Sequence, residues 1–161
     1  MPEFIELDCD ILTDAIKESA KKEKAIQDML KEYDLDDSII DHVQIKFEPL
    51  DVSAKTVDGV IVLNDKLLAS KWKEIIKYFS HEMTHVGQQL TSDVNVNKGK
   101  SYLDDPNELS AFRTQIDYME GKGHDEMIYS PEEIQTYIEG LLNHHGIEGP
   151  ERKEKIQELL E

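Results

Sequence analysis

The five residues His81 to His85, read as His-Glu-Met-Thr-His, combine the side chains that chemistry at a metal ion requires. They lie in a stretch whose pattern predicts a helix, and residues four apart on a helix lie one above the other on one face. His81 and His85 could therefore bind one metal ion from the same side. Glu82 lies between them, where its carboxylate could work as a base on a metal-bound water. The motif thus predicts a metal site with a general base beside it.

The helix predicted over residues 65–90 has an apolar stripe along one side. The stripe consists of Trp72, Ile75, Ile76, Phe79, Met83, Val86 and Leu90. At about 100° per residue, His81 and His85 fall roughly opposite the centre of this stripe. The pattern therefore predicts that one face packs on the core while the other presents both imidazoles to a cleft or to solvent. Two ordinary surface histidines would show the same phase, so this alternative stays open.

A zinc site built for catalysis takes three protein ligands and leaves one position for water. The extended motif with a third histidine is absent, because it would need Gly at position 88 and His at position 91, where this chain has Gln88 and Thr91. Glu108 is the best third candidate, since it opens the next predicted helix and the small Ala111 allows close approach. The same carboxylate could instead complete a cap three residues after Asp105. The weaker candidates are Asp104, Asp105, His124, His144 and His145.

Residues 102–112, Tyr-Leu-Asp-Asp-Pro-Asn-Glu-Leu-Ser-Ala-Phe, place Glu108 after a loop and at the start of a helix. With the His81–His85 motif, this segment resembles the gluzincin group of zinc metallopeptidases, and its compact size resembles the small bacterial and phage-type minigluzincins. The resemblance covers residues 57–120. It implies that His81, His85 and Glu108 bind Zn²⁺, that Glu82 activates a zinc-bound water, and that the substrate is a peptide or protein.

The resemblance also implies a zincin-like fold, in which an edge strand before the active-site helix binds substrate in extended form. Residues 57–63 match that strand by position. One departure concerns the third-ligand helix, which in the larger members reads Asn-Glu-x-x-Ser-Asp. Ala111 and Phe112 stand where Ser and Asp would be, so the carboxylate that would support a zinc-bound histidine is missing from its expected place.

The order of the predicted elements indicates an α+β fold with a small antiparallel sheet, a long active-site helix and three to four further helices. A helix over 11–33 precedes strands at 42–47 and 57–63, which could form an antiparallel pair, and a third strand could lie at 4–7. Helices follow over 105–120, 130–146 and 150–161, with a capping box at Ser130 and Glu133. We expect one domain over 1–161, with 146–161 as a possible separate helical segment.

The composition narrows the function further. The 161 residues include 18 basic and 35 acidic ones, a net charge of −17, which opposes nucleic-acid binding. The single cysteine, Cys9, excludes an internal disulfide framework and predicts a reduced thiol. No apolar run is long enough for a membrane span, and the start lacks the blocks of a signal peptide. We therefore expect a cytoplasmic protein with no membrane partner, and the oligomeric state stays open.

Two alternatives to an active peptidase remain at this stage. One is a catalytically silent zincin-fold protein that uses its acidic surface for binding or inhibition, for example as a nucleic-acid mimic. The other is a latent enzyme whose C-terminal segment covers the cleft, with a hinge at 146–150. In an active enzyme a donor must also stabilise the oxyanion. The candidates for that donor are Tyr102, Arg113, His124, Tyr129, His144 and His145.

Overall fold

The computed structural model describes residues 2–91 and 106–160, which form an α+β arrangement of helices around a small sheet. In chain order the elements are α1 Pro2–Lys22, α2 Lys24–Glu32, a 3-10 helix Asp37–His42, β1 Gln44–Glu48, β2 Ala54–Val57, β3 Val60–Asn64, a second 3-10 helix Asp65–Ala69, α3 Trp72–Thr91, α4 Pro106–Met119, α5 Pro131–His144 and α6 Pro150–Leu160. The predicted α+β class is confirmed. Tyr102, Asp104 and Asp105, which the sequence analysis named as candidates, lie outside the described residues.

The three strands form a mixed sheet in the order β1-β3-β2. β1 runs parallel to β3, with Ile45 opposite Ile61, and β2 runs antiparallel to β3. The prediction of a purely antiparallel sheet is therefore wrong, because the two predicted strands are parallel neighbours and an extra strand lies between them in sequence. Asp58 and Gly59 both have positive φ, of 51° and 79°, so this dipeptide makes the tight turn that joins β2 to β3.

The mixed order changes which strand lies at the edge of the sheet. β3 is the central strand, so the prediction that residues 57–63 form a substrate-binding edge strand is wrong. β2 is the edge strand, and its register places Thr56 opposite Ile61. The strand considered at 4–7 is also wrong, since these residues belong to α1. The third strand of the described sheet is instead the short segment Ala54–Val57.

Local capping and breaks set the helix boundaries. The helix predicted over 11–33 is divided at Glu23, which is extended with φ −83° and ψ 119°. The helix predicted over 65–90 is also divided, because Asn64 caps a 3-10 helix through its bond from the Lys66 amide, and α3 begins only at Trp72. The capping box of Ser130 and Glu133 at the start of α5 is confirmed.

Helix α3 is the centre of the fold and packs against α1, α2, α4, β2 and β3. The stripe predicted for its core face is buried in its middle and open at its ends, where Trp72 is 40% and Leu90 is 58% exposed. The opposite face is buried too, with His81 5% and Glu82 6% exposed. His81 is therefore buried and His85 half-buried, so the alternative of two surface histidines is wrong.

The C-terminal helix packs on the same body. α6 contacts α4, and Leu159 of α6 is 1% exposed within the cluster of buried apolar side chains. No helix in the described part of the chain has the length and apolarity needed to cross a membrane.

Candidate metal centre

Three side chains from α3 and α4 meet at one point. Glu108 Oε1 lies 3.1 Å from His81 Nε2 and 2.9 Å from His85 Nε2. One ligand atom from each residue lies within 4.8 Å of the others, so His81, His85 and Glu108 form a group that could hold a metal ion. The structure thus brings together the three residues that the sequence analysis named. Glu108 contacts both imidazoles. The sequence analysis had left open that this carboxylate instead caps its own helix.

The geometry of two packed helices explains the convergence. His81 and His85 are four residues apart on α3, so their imidazoles lie on one face, with ring centroids 5.1 Å apart. α4 starts at Pro106, which places Glu108 in its first turn, beside α3. Ala111 is fully buried, and the ring of Phe112 meets His81 edge-on at a centroid distance of 4.5 Å. The helix after the metal motif therefore carries its carboxylate directly to the imidazoles.

Each imidazole is held by a glutamine through its other nitrogen. His81 Nδ1 lies 3.0 Å from Gln115 Oε1, and His85 Nδ1 lies 2.9 Å from Gln88 Oε1. When each Nδ1–H donates to an amide oxygen, Nε2 is left for a metal ion. The gluzincin pattern would place a carboxylate beside a zinc-bound histidine, and this chain lacks it. Here the amide oxygens of Gln88 and Gln115 accept from the imidazoles instead. The pattern of the sequence could have revealed both, since Gln88 follows His85 by three residues and Gln115 follows Glu108 by seven.

The charges of the group are set by these contacts. Burial alone would lower the pKa of His85, but the hydrogen bond and charge of Glu108 outweigh it and raise that pKa to about 9. Burial would raise the pKa of Glu108, but hydrogen bonds from His81 and His85 lower it to about 2. At neutral pH, therefore, Glu108 is ionised and His85 carries a proton. A cation bound between them would take over the role of that proton.

Glu82 lies beside the group and is oriented by the edge strand. Thr56 Oγ1 donates a hydrogen bond to Glu82 Oε1 at 2.8 Å, and it lies 3.2 Å from the Glu82 carbonyl oxygen. The other carboxylate oxygen, Oε2, lies 4.0 Å from His81 Nε2. One oxygen of Glu82 is therefore held by β2, while the other lies near the His81 nitrogen of the candidate metal site. The sequence analysis did not identify Thr56.

Two adjoining recesses open at these residues. The outer recess, of about 360 Å³, is lined by Val52, Ala54, Lys55, Thr56, His81, Glu82, His85, Gln89 and Glu108. The inner recess, of about 530 Å³, shares Val52, Ala54, His81 and Glu82 with it. Its further walls include Tyr78, Phe112, Gln115, Tyr137, Leu141, His144 and His145. His81, His85 and Glu108, which we call the metal group, therefore line a cleft formed by the edge strand and by α3, α4 and α5.

The remaining candidates divide into those at the cleft and those elsewhere. His144 and His145 line the inner recess, and burial together with His144 lowers the pKa of His145. His124 contacts Glu23 at 2.8 Å, and the Tyr129 hydroxyl donates to Glu74. Arg113 is exposed and lines neither recess.

Two further observations bear on the earlier hypotheses. The sequence analysis missed Tyr137, which the structure places in the wall of the inner recess. None of the described residues of α6 lines either recess, so the covering role considered for the C-terminal segment finds no support in its position.

No family model matches this sequence, no curated protein matches it significantly, and no solved structure does. The class that the fold and the site define is an α+β protein with a His-His-Glu group capable of holding a metal ion. The resemblance to gluzincins stays a prediction, so the function is argued from the geometry of the site.

Proposed function

We propose that this protein is a zinc-dependent hydrolase, and specifically a peptidase, with His81, His85 and Glu108 as the zinc ligands. The observation that carries the proposal is the convergence of these three ligand atoms within 4.8 Å of one another. Two imidazoles and one carboxylate are the donor set of known catalytic zinc sites, which keep a fourth position open. When bound there, zinc would supply a Lewis acid that polarises a carbonyl group and acidifies a water molecule.

The side chains around the group are suited to the remaining steps. With a metal ion bound, hydrogen bonds from the two Nδ1–H groups to Gln88 and Gln115 would keep each imidazole in the tautomer that leaves Nε2 for the metal. Glu82 acts as general base, taking a proton from water and passing it to the leaving amine. Because Thr56 fixes one oxygen of Glu82, the other is directed to the place where the water must stand.

The edge of the sheet supports a peptide as the substrate. Among the described strands β2 pairs only with β3, and Ala54, Lys55 and Thr56 line the outer recess together with His85 and Glu108. An extended peptide can add to such an edge through main-chain hydrogen bonds. A peptide bound in this way would run along the metal group. Among the original candidates that the structure describes, His144 and His145 line the inner recess and are our candidate donors to the oxyanion.

The experiment that tests the proposal separates metal binding from catalysis. Purified wild-type protein should contain about one zinc per chain. His81→Ala and Glu108→Ala should lose most of that zinc, and Glu82→Gln should keep it while hydrolysis of a peptide library falls by roughly 10²–10⁴-fold. Zinc retained in both alanine variants would refute the ligand set. Zinc bound in all forms but no hydrolysis by wild type would favour the acidic binding protein, which would be indifferent to Glu82→Gln.

A further inference from the structure

A buried lysine lies behind one wall of the inner recess. Lys77 of α3 is 4% exposed, and its ammonium lies 3.1 Å from Glu74 Oε1. The same nitrogen lies 4.6 Å from the ring centroid of Tyr78, 5.2 Å from that of Tyr129 and 4.7 Å from that of Tyr137. A buried ammonium requires an opposite charge and aromatic faces of this kind. We call Lys77 with these three rings the tyrosine cage.

Tyr137 belongs to both the tyrosine cage and the cleft. Its ring is packed against the Lys77 ammonium, and the residue also lines the inner recess with His81 and Glu82. Lys77 precedes His81 by four residues, so the cage lies one helical turn from the metal group. The lysine therefore fixes the ring of Tyr137 relative to the same helix that carries both imidazoles.

Gln115 lies between the metal group and Tyr137. Its Oε1 bonds His81, whereas its Nε2 is buried and has no hydrogen-bond partner among the described residues. Gln115 and Tyr137 line the same inner recess. Burial raises the pKa of the Tyr137 phenol. Because Tyr137 lines the same recess, its phenol oxygen is the candidate acceptor for this unpaired N–H.

Metal binding would fix the direction of these bonds. An imidazole that binds a cation through Nε2 must carry its proton on Nδ1. The Nδ1–H of His81 then donates to Gln115 Oε1, so the amide cannot rotate, and its NH₂ group is directed away from His81. If the Tyr137 oxygen accepts from that NH₂ group, the tyrosine proton is left to be donated elsewhere. Tyr137 lines the inner recess and also a recess that contains Glu74, Lys77 and Tyr129, and of these two the inner recess is the one that contains His81 and Glu82.

We propose that Gln115 and Lys77 are positioning residues that hold Tyr137 as a hydrogen-bond donor in the inner recess, directed at the carbonyl oxygen of a bound substrate. Lys77 fixes the ring and Gln115 fixes the direction of the hydroxyl. The kinetic consequence rests on the proposed hydrolase function, whereas the hydrogen-bond arrangement can be measured without it.

The decisive variant is Gln115→Glu, which is nearly isosteric. It keeps an acceptor oxygen for His81 but replaces the N–H donor by a second oxygen, so the Tyr137 proton turns to the new carboxylate. We expect zinc affinity to equal or exceed that of wild type while kcat falls by roughly 10–10²-fold at a similar KM. Tyr137→Phe should give the same loss, and the double variant should lose no more than either single variant. The surface variant Gln157→Glu adds the same charge on exposed α6 and should leave kcat unchanged.

The tyrosine cage is tested by changing the charge of Lys77. Lys77→Met keeps the length of the side chain and removes the ammonium, so kcat should fall while zinc content and helical circular dichroism remain. Lys77→Arg keeps the charge and should retain more activity than Lys77→Met. An equal loss of activity in the two folded, zinc-loaded variants would show that the positive charge does not position Tyr137.

A readout independent of hydrolysis distinguishes this proposal from the proposed function. Zinc-loaded protein labelled with ¹³C at tyrosine Cζ should show one resonance that disappears in Tyr137→Phe. In Gln115→Glu that resonance should move while those of the other tyrosines stay in place. An unmoved resonance, or losses of kcat that add in the double variant, would overturn the inference. A moved resonance in a protein that cleaves no peptide would uphold the arrangement and refute the peptidase.

Discussion

At the scale of single residues, the contact between His85 and Glu108 sets the protonation of the candidate metal site in the absence of a metal ion. Glu108 lies within 3.1 Å of both imidazoles, and their contacts shift the pKa of Glu108 to about 2 and that of His85 to about 9. The group therefore holds a proton where a cation would bind. Metal binding must displace that proton, which couples affinity to pH.

Zinc binding should release close to one proton per ion at pH 7. Because the pKa of His85 is about 9, its proton is bound below that pH and must leave for Nε2 to become a ligand. The apparent affinity should therefore rise about tenfold per pH unit and level off near pH 9. Calorimetric titration in buffers of different ionisation enthalpy measures the proton count. The Glu108→Gln variant, which lacks the charge that retains the proton, should release much less, and an equal release would contradict the assignment.

The metal-free protein should lose stability as the pH rises through 9. A histidine pKa raised from 6.5 stabilises the fold fully below 6.5, and this contribution disappears as pH passes about 9. The lowered pKa of Glu108 contributes stability above 4.5, and this is lost as pH falls toward 2. Urea unfolding in EDTA should show a decrease of roughly 1–3 kcal/mol between pH 6 and pH 9. His85→Gln should flatten that slope, and an unchanged slope would count against the ion pair.

The hydroxyl of Thr56 should matter for turnover and not for zinc content. Thr56→Val keeps the shape of the side chain and removes the hydrogen bond to Glu82, so the proposed general base loses its orientation. We expect kcat to fall by about tenfold, from the loss of roughly 1.4 kcal/mol of positioning. Thr56→Ser keeps the hydroxyl and should stay near wild type. If the two variants are equally active with equal zinc, the bond does not orient Glu82.

The sequence predicted the members of the metal group and missed much of their support, for a physical reason. His81 and His85 are related by helix geometry alone. Local spacing left Glu108 open between a ligand and a helix cap, and the resemblance to gluzincins implied the ligand role. Thr56 reaches Glu82 only because the turn at Asp58 and Gly59 sets the β2–β3 register, and register is a non-local property. Tyr137 similarly reaches the cleft through the packing of α5, which no spacing along the chain reveals.

At the scale of elements, the helix ends and the hairpin turn decide the topology. The Asp-Gly pair at 58 and 59 is a strong hairpin signal, and reading it would have predicted β2 and its antiparallel pairing with β3. The parallel pairing of β1 with β3 is a non-local property that this signal does not give. Gly121 ends α4 with φ +82°, and an added Cβ would lie 2.3 Å from the Glu126 carbonyl oxygen. This glycine allows the chain to turn from α4 toward α5.

Gly121→Ala should therefore destabilise the fold strongly, by about 2–4 kcal/mol, since a strained φ and a backbone clash add. The matched control is Gly140→Ala within α5, where an added Cβ meets nothing within 4 Å. That change should stabilise by roughly 0.5–1 kcal/mol, because alanine favours the helix. Thermal unfolding of both variants gives the comparison. Equal effects of the two would show that the geometry at Gly121 is not required.

Helix α6 should contribute to the stability of the fold, and we do not expect it to block the cleft. Leu159 is 1% exposed and α6 packs on α4, the helix that carries Glu108. Leu159→Ala should lower the free energy of unfolding by about 2–4 kcal/mol, whereas the exposed Glu154→Ala should change it by less than about 0.5 kcal/mol. Both measurements use urea unfolding of the full chain. If the Leu159→Ala variant hydrolysed substrate faster than wild type at a temperature where the variant is folded, the result would instead support the latent-enzyme hypothesis.

At the scale of the whole molecule, 35 acidic and 18 basic residues leave an excess of 17 negative charges even if every cation is paired. Ion pairs such as Lys21 with Asp41 lie largely at the surface, where each contributes little and is weakened by salt. The repulsion among the unpaired acids opposes the compact state. Salt lowers stability by weakening the ion pairs and raises it by weakening the repulsion among acidic residues. The excess of acidic residues indicates that the repulsion is the larger of the two contributions.

Salt should therefore stabilise this protein. Raising NaCl from 10 to 150 mM shortens the Debye length from about 30 to about 8 Å, which screens the net repulsion across the surface. The free energy of unfolding at pH 7 should rise, by an amount on the order of 1 kcal/mol. KCl and tetramethylammonium chloride at equal ionic strength should act alike if screening is the cause, and sucrose at equal osmolality serves as the uncharged control. A fall in stability with salt would show that the surface ion pairs outweigh the excess charge, because screening lowers stability only where it weakens attractive pairs.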